Sequence, residues 1–127
     1  MTSFNLFVSY SQIAVFWPTL ENPFSSWTEG EVERGFTFRP GSVSFKTTTE
    51  SGDYSLEVFD DSIGGSPNSE CVTSVEVPFE VPENGEVEIA SISDGCVISV
   101  TPGTVQLRFE ELENNVVRIS FLRKSSG

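Results

Sequence analysis

Carboxylates dominate the side chains of this sequence that could do chemistry. The chain has 19 Asp and Glu residues, two cysteines and no histidine. Without histidine there is no Ser-His-Asp or Cys-His nucleophile system, no histidine metal ligand and no imidazole base. Two isolated cysteines cannot complete a thiolate zinc site, and no glycine-rich phosphate loop is present. These residue types favour a binding protein without a cofactor over an enzyme.

Three acidic features could still form a site. Two acids can act as a glycosidase pair, but among 19 carboxylates such pairs arise by chance, so a solvated surface is the simpler interpretation. The run Asp60-Asp61-Ser62-Ile63-Gly64-Gly65 lacks the ligand spacing of an EF-hand, which favours a plain turn over a Ca²⁺ loop. The run Glu110-Glu111-Leu112-Glu113 leads into a predicted hairpin loop and is interpreted as a solvated turn.

The charge balance limits the partners. The net charge is −12, and three of the seven basic residues lie in the last ten positions. This field opposes binding to DNA, RNA or an anionic membrane and favours a basic partner. No apolar stretch is long enough to span a membrane, and the first six residues lack signal-peptide features. We therefore expect a cytoplasmic protein with Cys71 and Cys96 reduced; the two could pair only if their strands were adjacent.

The strand pattern predicts an all-β, antiparallel β-sandwich in one domain over residues 1–127, with 124–127 as a flexible tail. Short β-branched and aromatic runs alternate with Gly, Pro, Asn and Ser. Strands are predicted near 4–10, 12–17, 36–39, 42–47, 53–59, 71–81, 86–92, 96–101, 104–111 and 116–123.

One short helix is predicted near residues 28–35. Thr28 can cap its first turn while Glu31, three residues later, completes a capping box. Gly35 suits the helix exit.

Alternating apolar residues predict a hairpin around Glu83-Asn84-Gly85. A three-residue loop with Gly85 left-handed pairs Val81 with Val87 and Phe79 with Ile89. This register sets like charges opposite each other at Glu80 and Glu88, with two further acids nearby. Two prolines place the first strand at a sheet edge. The expected result is an exposed acidic ribbon, whose acids are Glu76, Glu80, Glu86 and Glu88.

A second hairpin is predicted near the C-terminus. A three-residue loop at 113–115 pairs Phe109 with Ile119. It also places Glu110 opposite Arg118, so these charges have a local structural role.

Aromatic residues are expected mainly in the core, since six phenylalanines follow strand periodicity: Phe36, Phe38, Phe45, Phe79, Phe109 and Phe121. Trp17 and Trp27 could be exposed contact residues, although buried or half-buried packing is favoured. Exposed tryptophans would support an alternative function, a carbohydrate- or ligand-binding β-sandwich module.

Several stretches, in the same order, resemble the competence protein J family. They are Ser9-Tyr10-Ser11-Gln12-Ile13-Ala14-Val15-Phe16, Trp27-Thr28, Glu33-Arg34-Gly35-Phe36, Pro40-Gly41-Ser42-Val43-Ser44-Phe45, Val77-Pro78-Phe79-Glu80-Val81-Pro82-Glu83-Asn84-Gly85 and Val87-Glu88-Ile89-Ala90-Ser91-Ile92. The likeness spans roughly residues 7–110, which is more specific than a single short motif. Residues 46–72 and the C-terminal end match poorly.

The resemblance implies a protein that binds and inhibits a bacterial DNA-entry nuclease; related proteins could serve as immunity proteins against nuclease toxins. Membrane association would then come through the partner, and a homo-oligomer or a hetero-oligomer with the nuclease stays open. An acidic surface would be steered to the basic DNA cleft of such an enzyme. The first contact candidates are the four acids of the ribbon, and the second are Glu29, Glu31 and Glu33.

Overall fold

Ten strands and one short helix make up the part of the chain that the computed structural model describes, residues 2–20, 29–39, 41–63, 73–92 and 94–123. The elements are β1 Thr2–Val8, β2 Gln12–Phe16, α1 Glu29–Arg34, β3 Phe36–Arg39, β4 Ser42–Lys46, β5 Gly52–Ile63, β6 Thr73–Val81, β7 Glu86–Ala90, β8 Gly95–Ser99, β9 Gly103–Leu112 and β10 Val116–Arg123. No helix within these ranges is long and apolar enough to cross a membrane.

The strands form two five-stranded sheets. Sheet A has the order β1-β5-β10-β9-β6, and sheet B has the order β3-β4-β2-β7-β8. All neighbours are antiparallel except β5 and β10, which run parallel with Leu56 beside Val117. The predicted all-β sandwich is confirmed. The parallel pair was not predicted, because short connections constrain only strands that follow one another in the chain.

The core lies between the sheets and is filled by alternate residues of their inner faces. The ring of Phe45 on β4 stacks on Phe109 of β9, with centroids 4.5 Å apart and planes at 7°. Because the two rings come from different sheets, this stack joins the sandwich through its centre.

The helix prediction is confirmed over Glu29–Arg34. Gly35 has φ +86°, which fits its predicted place at the helix exit. The guanidinium of Arg34 lies 4.4 Å from the ring centroid of Phe36, so the helix is anchored to β3. The predicted cap, Thr28, lies outside the described residues.

The predicted β6–β7 hairpin is wrong, because β6 belongs to sheet A and β7 to sheet B. Val81 pairs with Gly103 on β9, and Val87 pairs with Ile98 on β8. The alternation that suggested a hairpin is also satisfied here, since both strands turn their odd-numbered residues toward the shared core. The local prediction for Gly85 is confirmed by its φ of +70°.

The second hairpin is confirmed. Phe109 pairs with Ile119 and Glu110 with Arg118 across the three-residue turn at 113–115. The Nε of Arg118 also donates to Glu57 Oε1 at 2.8 Å, so this arginine bridges toward β5 as well.

Two segments predicted as turns are partly strand: residues 60–63 belong to β5 and 110–112 to β9, whereas Glu113 does lie in a turn, and residues 64–65 lie outside the described residues. Asp60 lies within β5, and its Oδ2 accepts from the N–H and hydroxyl of Thr101 at 3.0 and 2.9 Å. Glu111 is 1% exposed and accepts from the Thr48 N–H, the Thr48 hydroxyl and the Tyr54 hydroxyl at 3.0, 2.6 and 3.0 Å. Their charge had suggested solvent-exposed turns, but the carboxylates of Asp60 and Glu111 each accept hydrogen bonds from a neighbouring loop.

Candidate protein-binding surface

Three exposed acidic residues lie at one end of the sandwich, where β6 connects to β7. Here β6 crosses to β7 through residues 82–85 and β8 crosses to β9 through residues 100–102. The last residue of β2, Phe16, pairs with Glu88 and with Ser42, so β2 also finishes here. We call this region the crossover end.

The β6–β7 crossing is a fixed turn. The N–H of Gly85 donates to Pro82 O at 2.9 Å, and the N–H of Glu86 donates to Asn84 Oδ1 at 3.1 Å. The Gly85 carbonyl accepts from the N–H of Val100 at 2.8 Å. A Cβ at Gly85 would lie 2.9 Å from the Val100 carbonyl oxygen, so this close approach requires glycine.

Trp17 packs between the two sheets at this end. Its backbone N–H donates to Gly41 O at 2.9 Å, and its indole Nε1 donates to Glu80 O at 2.8 Å. The half-buried state favoured for Trp17 is confirmed. Because both nitrogens of Trp17 donate hydrogen bonds within the chain, its indole is held in a fixed position. Trp27 lies outside the described residues.

A cleft of about 340 Å³ opens beside this indole; its lining residues are Trp17, Phe38, Gly41, Pro78, Phe79, Glu80 and Thr104. The expectation that Phe38 is a core residue is wrong, since its side chain is 41% exposed. Phe38 follows the strand alternation of β3, but β3 is an edge strand with solvent beside it. The cleft is therefore lined largely by aromatic residues, with one acidic residue among them.

Three exposed acids, which we call the crossover acids, surround this crossing: Glu80, Glu83 and Glu86. Within the described part of the chain, none of these carboxylates has a hydrogen bond or an ion pair. Glu83 was not among the predicted contacts, because the proposed hairpin used it only as a loop residue. The sequence alone did not show that Glu83 lies near two other unpaired acids, because this follows from the crossing of the chain between the two sheets.

The other predicted ribbon acids are differently placed. Glu76 makes an ion pair with Arg108, whose Nε and Nη2 donate to Glu76 Oε2 at 3.0 and 2.9 Å. Glu88 is half-buried on the outer face of sheet B, between Phe16 and Val97. Glu80 lies opposite Thr104 rather than opposite Glu88, so the continuous ribbon does not exist.

The helix acids lie apart from the crossover end. Glu29 and Glu33 are exposed on α1, which leads into Phe36. Phe36 pairs with Phe45 at the far end of sheet B from Glu86. The side chain of Glu31 lies outside the described set.

This surface is suited to binding the basic side chains of a protein partner. Unpaired carboxylates beside an aromatic cleft can receive lysine or arginine side chains, whose stems pack on rings while the charge meets the acid. Among the described residues, no group of three or more Cys, Asp or Glu is arranged to hold a metal ion.

Comparison with known proteins gives a family match over nearly the whole chain. The family model described as Competence protein J (ComJ) matches residues 5–122. A DNA-entry nuclease inhibitor of Bacillus subtilis (strain 168) is 33% identical over an alignment of 91 residues, and the match covers 68% of this chain and 63% of that protein. The match thus covers less than two-thirds of the curated relative.

Two solved structures share the fold. The crystal structure of ComJ from Bacillus subtilis, described as an inhibitor of the DNA degrading activity of NucA, has a TM-score of 0.79 at 20% identity, covering 96% of this chain and 95% of that one. A structure described as crocagin biosynthetic gene J has a TM-score of 0.61 at 12% identity, covering 95% and 96%. The family match and the curated relative together show that the chain belongs to the competence protein J family.

Proposed function

We propose that this protein inhibits a DNA-entry-type nuclease by binding the enzyme through the crossover end. The family and the relative described as a DNA-entry nuclease inhibitor support the class of partner. The gathering of three unpaired acids at the β6–β7 crossing, one of which, Glu80, lines the aromatic cleft, supports the surface. That gathering is the observation that carries the proposal.

The mechanism is occlusion guided by charge. A nuclease must attract phosphates, so its DNA path carries Lys, Arg or a metal ion. The crossover acids, within a chain of net charge −12, steer this end of the sandwich toward that path. The rigid turn at Gly85 and the bonded Trp17 then present a preformed surface, so little ordering is needed on binding. The protein acts in the cytoplasm, by occupying the DNA path and not by a reaction of its own.

Reversing the crossover acids tests the surface. The triple variant Glu80→Lys, Glu83→Lys and Glu86→Lys should slow association with the nuclease about tenfold or more at low salt, because steering is lost. The difference from the unmodified chain should shrink as salt rises, since screening removes the same attraction. Stopped-flow association rates across a salt series measure both effects.

A matched control separates position from net charge. The variant Glu50→Lys, Asp53→Lys and Glu113→Lys makes the same charge change with exposed residues at the opposite end of the sandwich. It should reduce the rate much less than the crossover variant. Equal losses in the two triple variants, with both folded, would show that net charge and not this surface attracts the enzyme.

A further inference from the structure

Four strands lie at sheet edges: β1 and β6 in sheet A, and β3 and β8 in sheet B. Each edge turns backbone N–H and C=O groups away from its sheet, where another strand can pair with them. Native proteins usually protect such edges against pairing with other chains, so an unprotected edge indicates a binding site for a partner strand.

One end of the β1 edge, at Phe7, is covered by side chains of the β7–β8 turn. The N–H of Phe7 donates to Asp94 Oδ2 at 2.9 Å, and the Ser91 hydroxyl donates to Phe7 O at 2.6 Å. A strand that paired along this edge at Phe7 would have to displace both contacts.

The edges of β6 and β3 are also protected. Pro78 on β6 has no N–H to offer, and Glu80 O is taken by the Trp17 indole. On β3, the two edge carbonyls accept from arginine: Arg34 Nε to Phe36 O at 3.0 Å, and Arg39 Nη1 to Phe38 O at 2.8 Å.

The hydrogen bonds at the two ends of the β7–β8 strand pair show which residues of β8 bond to β7 and which face outward. Ser91 N donates to Asp94 O, and Val100 N donates to Gly85 O, both at 2.8 Å. Antiparallel pairs alternate between bonded and non-bonded positions, so the bonded pairs between these ends are Val87 with Ile98 and Ile89 with Cys96. The residues of β8 whose backbone groups face away from β7 are therefore Gly95, Val97 and Ser99.

This edge is mostly open. The N–H of Gly95 donates to Asp94 Oδ1 at 2.9 Å, and the Cys96 thiol, a weak donor, lies 3.8 Å from Val97 O. Within the described chain, no side chain takes the N–H of Val97 or either backbone group of Ser99. The Val97 side chain is 52% exposed, and β8 contains no proline and no charged residue.

We propose that β8 receives an extended segment of the basic nuclease as an additional strand of sheet B. The inference rests on the proposed function, and it names the part of the partner that binds: a strand with alternating Lys or Arg side chains. Strand addition of this kind takes its affinity from main-chain hydrogen bonds and its specificity from alternate side chains.

Charge selects this occupant. On the outer face of sheet B, Glu88 lies beside Val97 and Glu86 beside Ser99. A strand added to β8 would lie about 10 Å from β7, a distance that a glutamate and an extended lysine or arginine span together. A second copy of this chain would instead bring its own Glu86 and Glu88 to the same joined face, where like charges oppose pairing.

A proline at Val97 tests the open edge. The Val97→Pro substitution removes an outward N–H and sets a ring in the path of an added strand, while the ladder to β7 keeps its bonds. Binding to the full-length DNA-entry-type nuclease from the same organism should weaken about tenfold or more, since backbone bonds are lost and the ring blocks approach. Val97→Ala, which keeps the N–H, should bind within about threefold of the unmodified chain.

The matched control is Asn5→Pro on the edge strand β1 of the other sheet, an exposed residue whose backbone faces outward in phase with Phe7. It should bind like the unmodified chain. Hydrogen exchange of the unmodified chain provides a second test that needs no variant: the amides of Val97 and Ser99 should become protected when the nuclease is added.

Two results would overturn the β8 proposal and leave the inhibitor function standing. One is unchanged nuclease binding by a folded Val97→Pro variant. The other is protection of these amides without nuclease, together with a dimer in sedimentation, which would assign the edge to a second copy. Failure of the unmodified chain to bind the nuclease would overturn the proposed function and the strand proposal with it.

Discussion

At the residue scale, the shape of the crossover end depends on contact between Trp17 and Gly41. A Cβ built on Gly41 would lie 2.6 Å from two indole carbons of Trp17, and Gly41 has φ +76°. No other residue type meets both requirements without displacing the indole. The position of the Trp17 indole beside the cleft thus depends on the absence of a side chain at Gly41.

Gly41→Ala should lower the free energy of unfolding by about 2 kcal/mol, because it adds both a clash and an unfavourable φ. Urea unfolding followed by tryptophan fluorescence measures the loss. Gly30→Ala on α1 is the control, since a Cβ there meets nothing within 4 Å, and alanine favours a helix. If the two variants are equally stable, the Trp17–Gly41 contact does not shape this end.

At the element scale, Glu111 connects two loops that are far apart in the chain. Its buried carboxylate on β9 accepts the N–H and the hydroxyl of Thr48, which follows β4. It also accepts the hydroxyl of Tyr54 on β5. These bonds hold the β4–β5 connection against the β9–β10 hairpin.

Glu111→Ala should therefore reduce the free energy of unfolding by about 3 kcal/mol, because charge-assisted bonds are lost and buried donors remain unpaired. Glu113→Ala, two residues along the chain and exposed, should change it by less than about 0.5 kcal/mol. Thermal or urea unfolding of the two variants makes the comparison. A small effect at Glu111 would show that the loops are held by other contacts.

The two predicted hairpins show what alternation in the sequence can determine. For β9–β10, alternation, a loop at 113–115 and the opposite charges of Glu110 and Arg118 all favour one register, and that register is present. For β6–β7, alternation specifies only which side chains face the core, and both sheets share that core. The like-charge pair expected between Glu80 and Glu88 was a sign against the hairpin, because it had a cost and no compensating contact.

At the scale of the whole molecule, the negative charge is unevenly compensated. The outer face of sheet A pairs Glu76 with Arg108 and Glu57 with Arg118. The crossover acids have no such partners in the described chain. Composition alone predicted a basic partner and the resemblance predicted its class. Which acids remain available depends on strand order, and distant strands such as β6 and β9 carry no pairing signal in one sequence.

Inhibition of a nuclease by occupation of its DNA path can be measured by titration. The unmodified full-length chain is added to a fixed amount of the DNA-entry-type nuclease from its own organism, and DNA degradation is measured at several DNA concentrations. Degradation should fall in proportion to the added chain and cease near equimolar amounts. The inhibition should weaken as DNA is raised, because DNA and inhibitor compete for one path. Undiminished degradation at a large molar excess of the chain would show that the protein does not inhibit this nuclease.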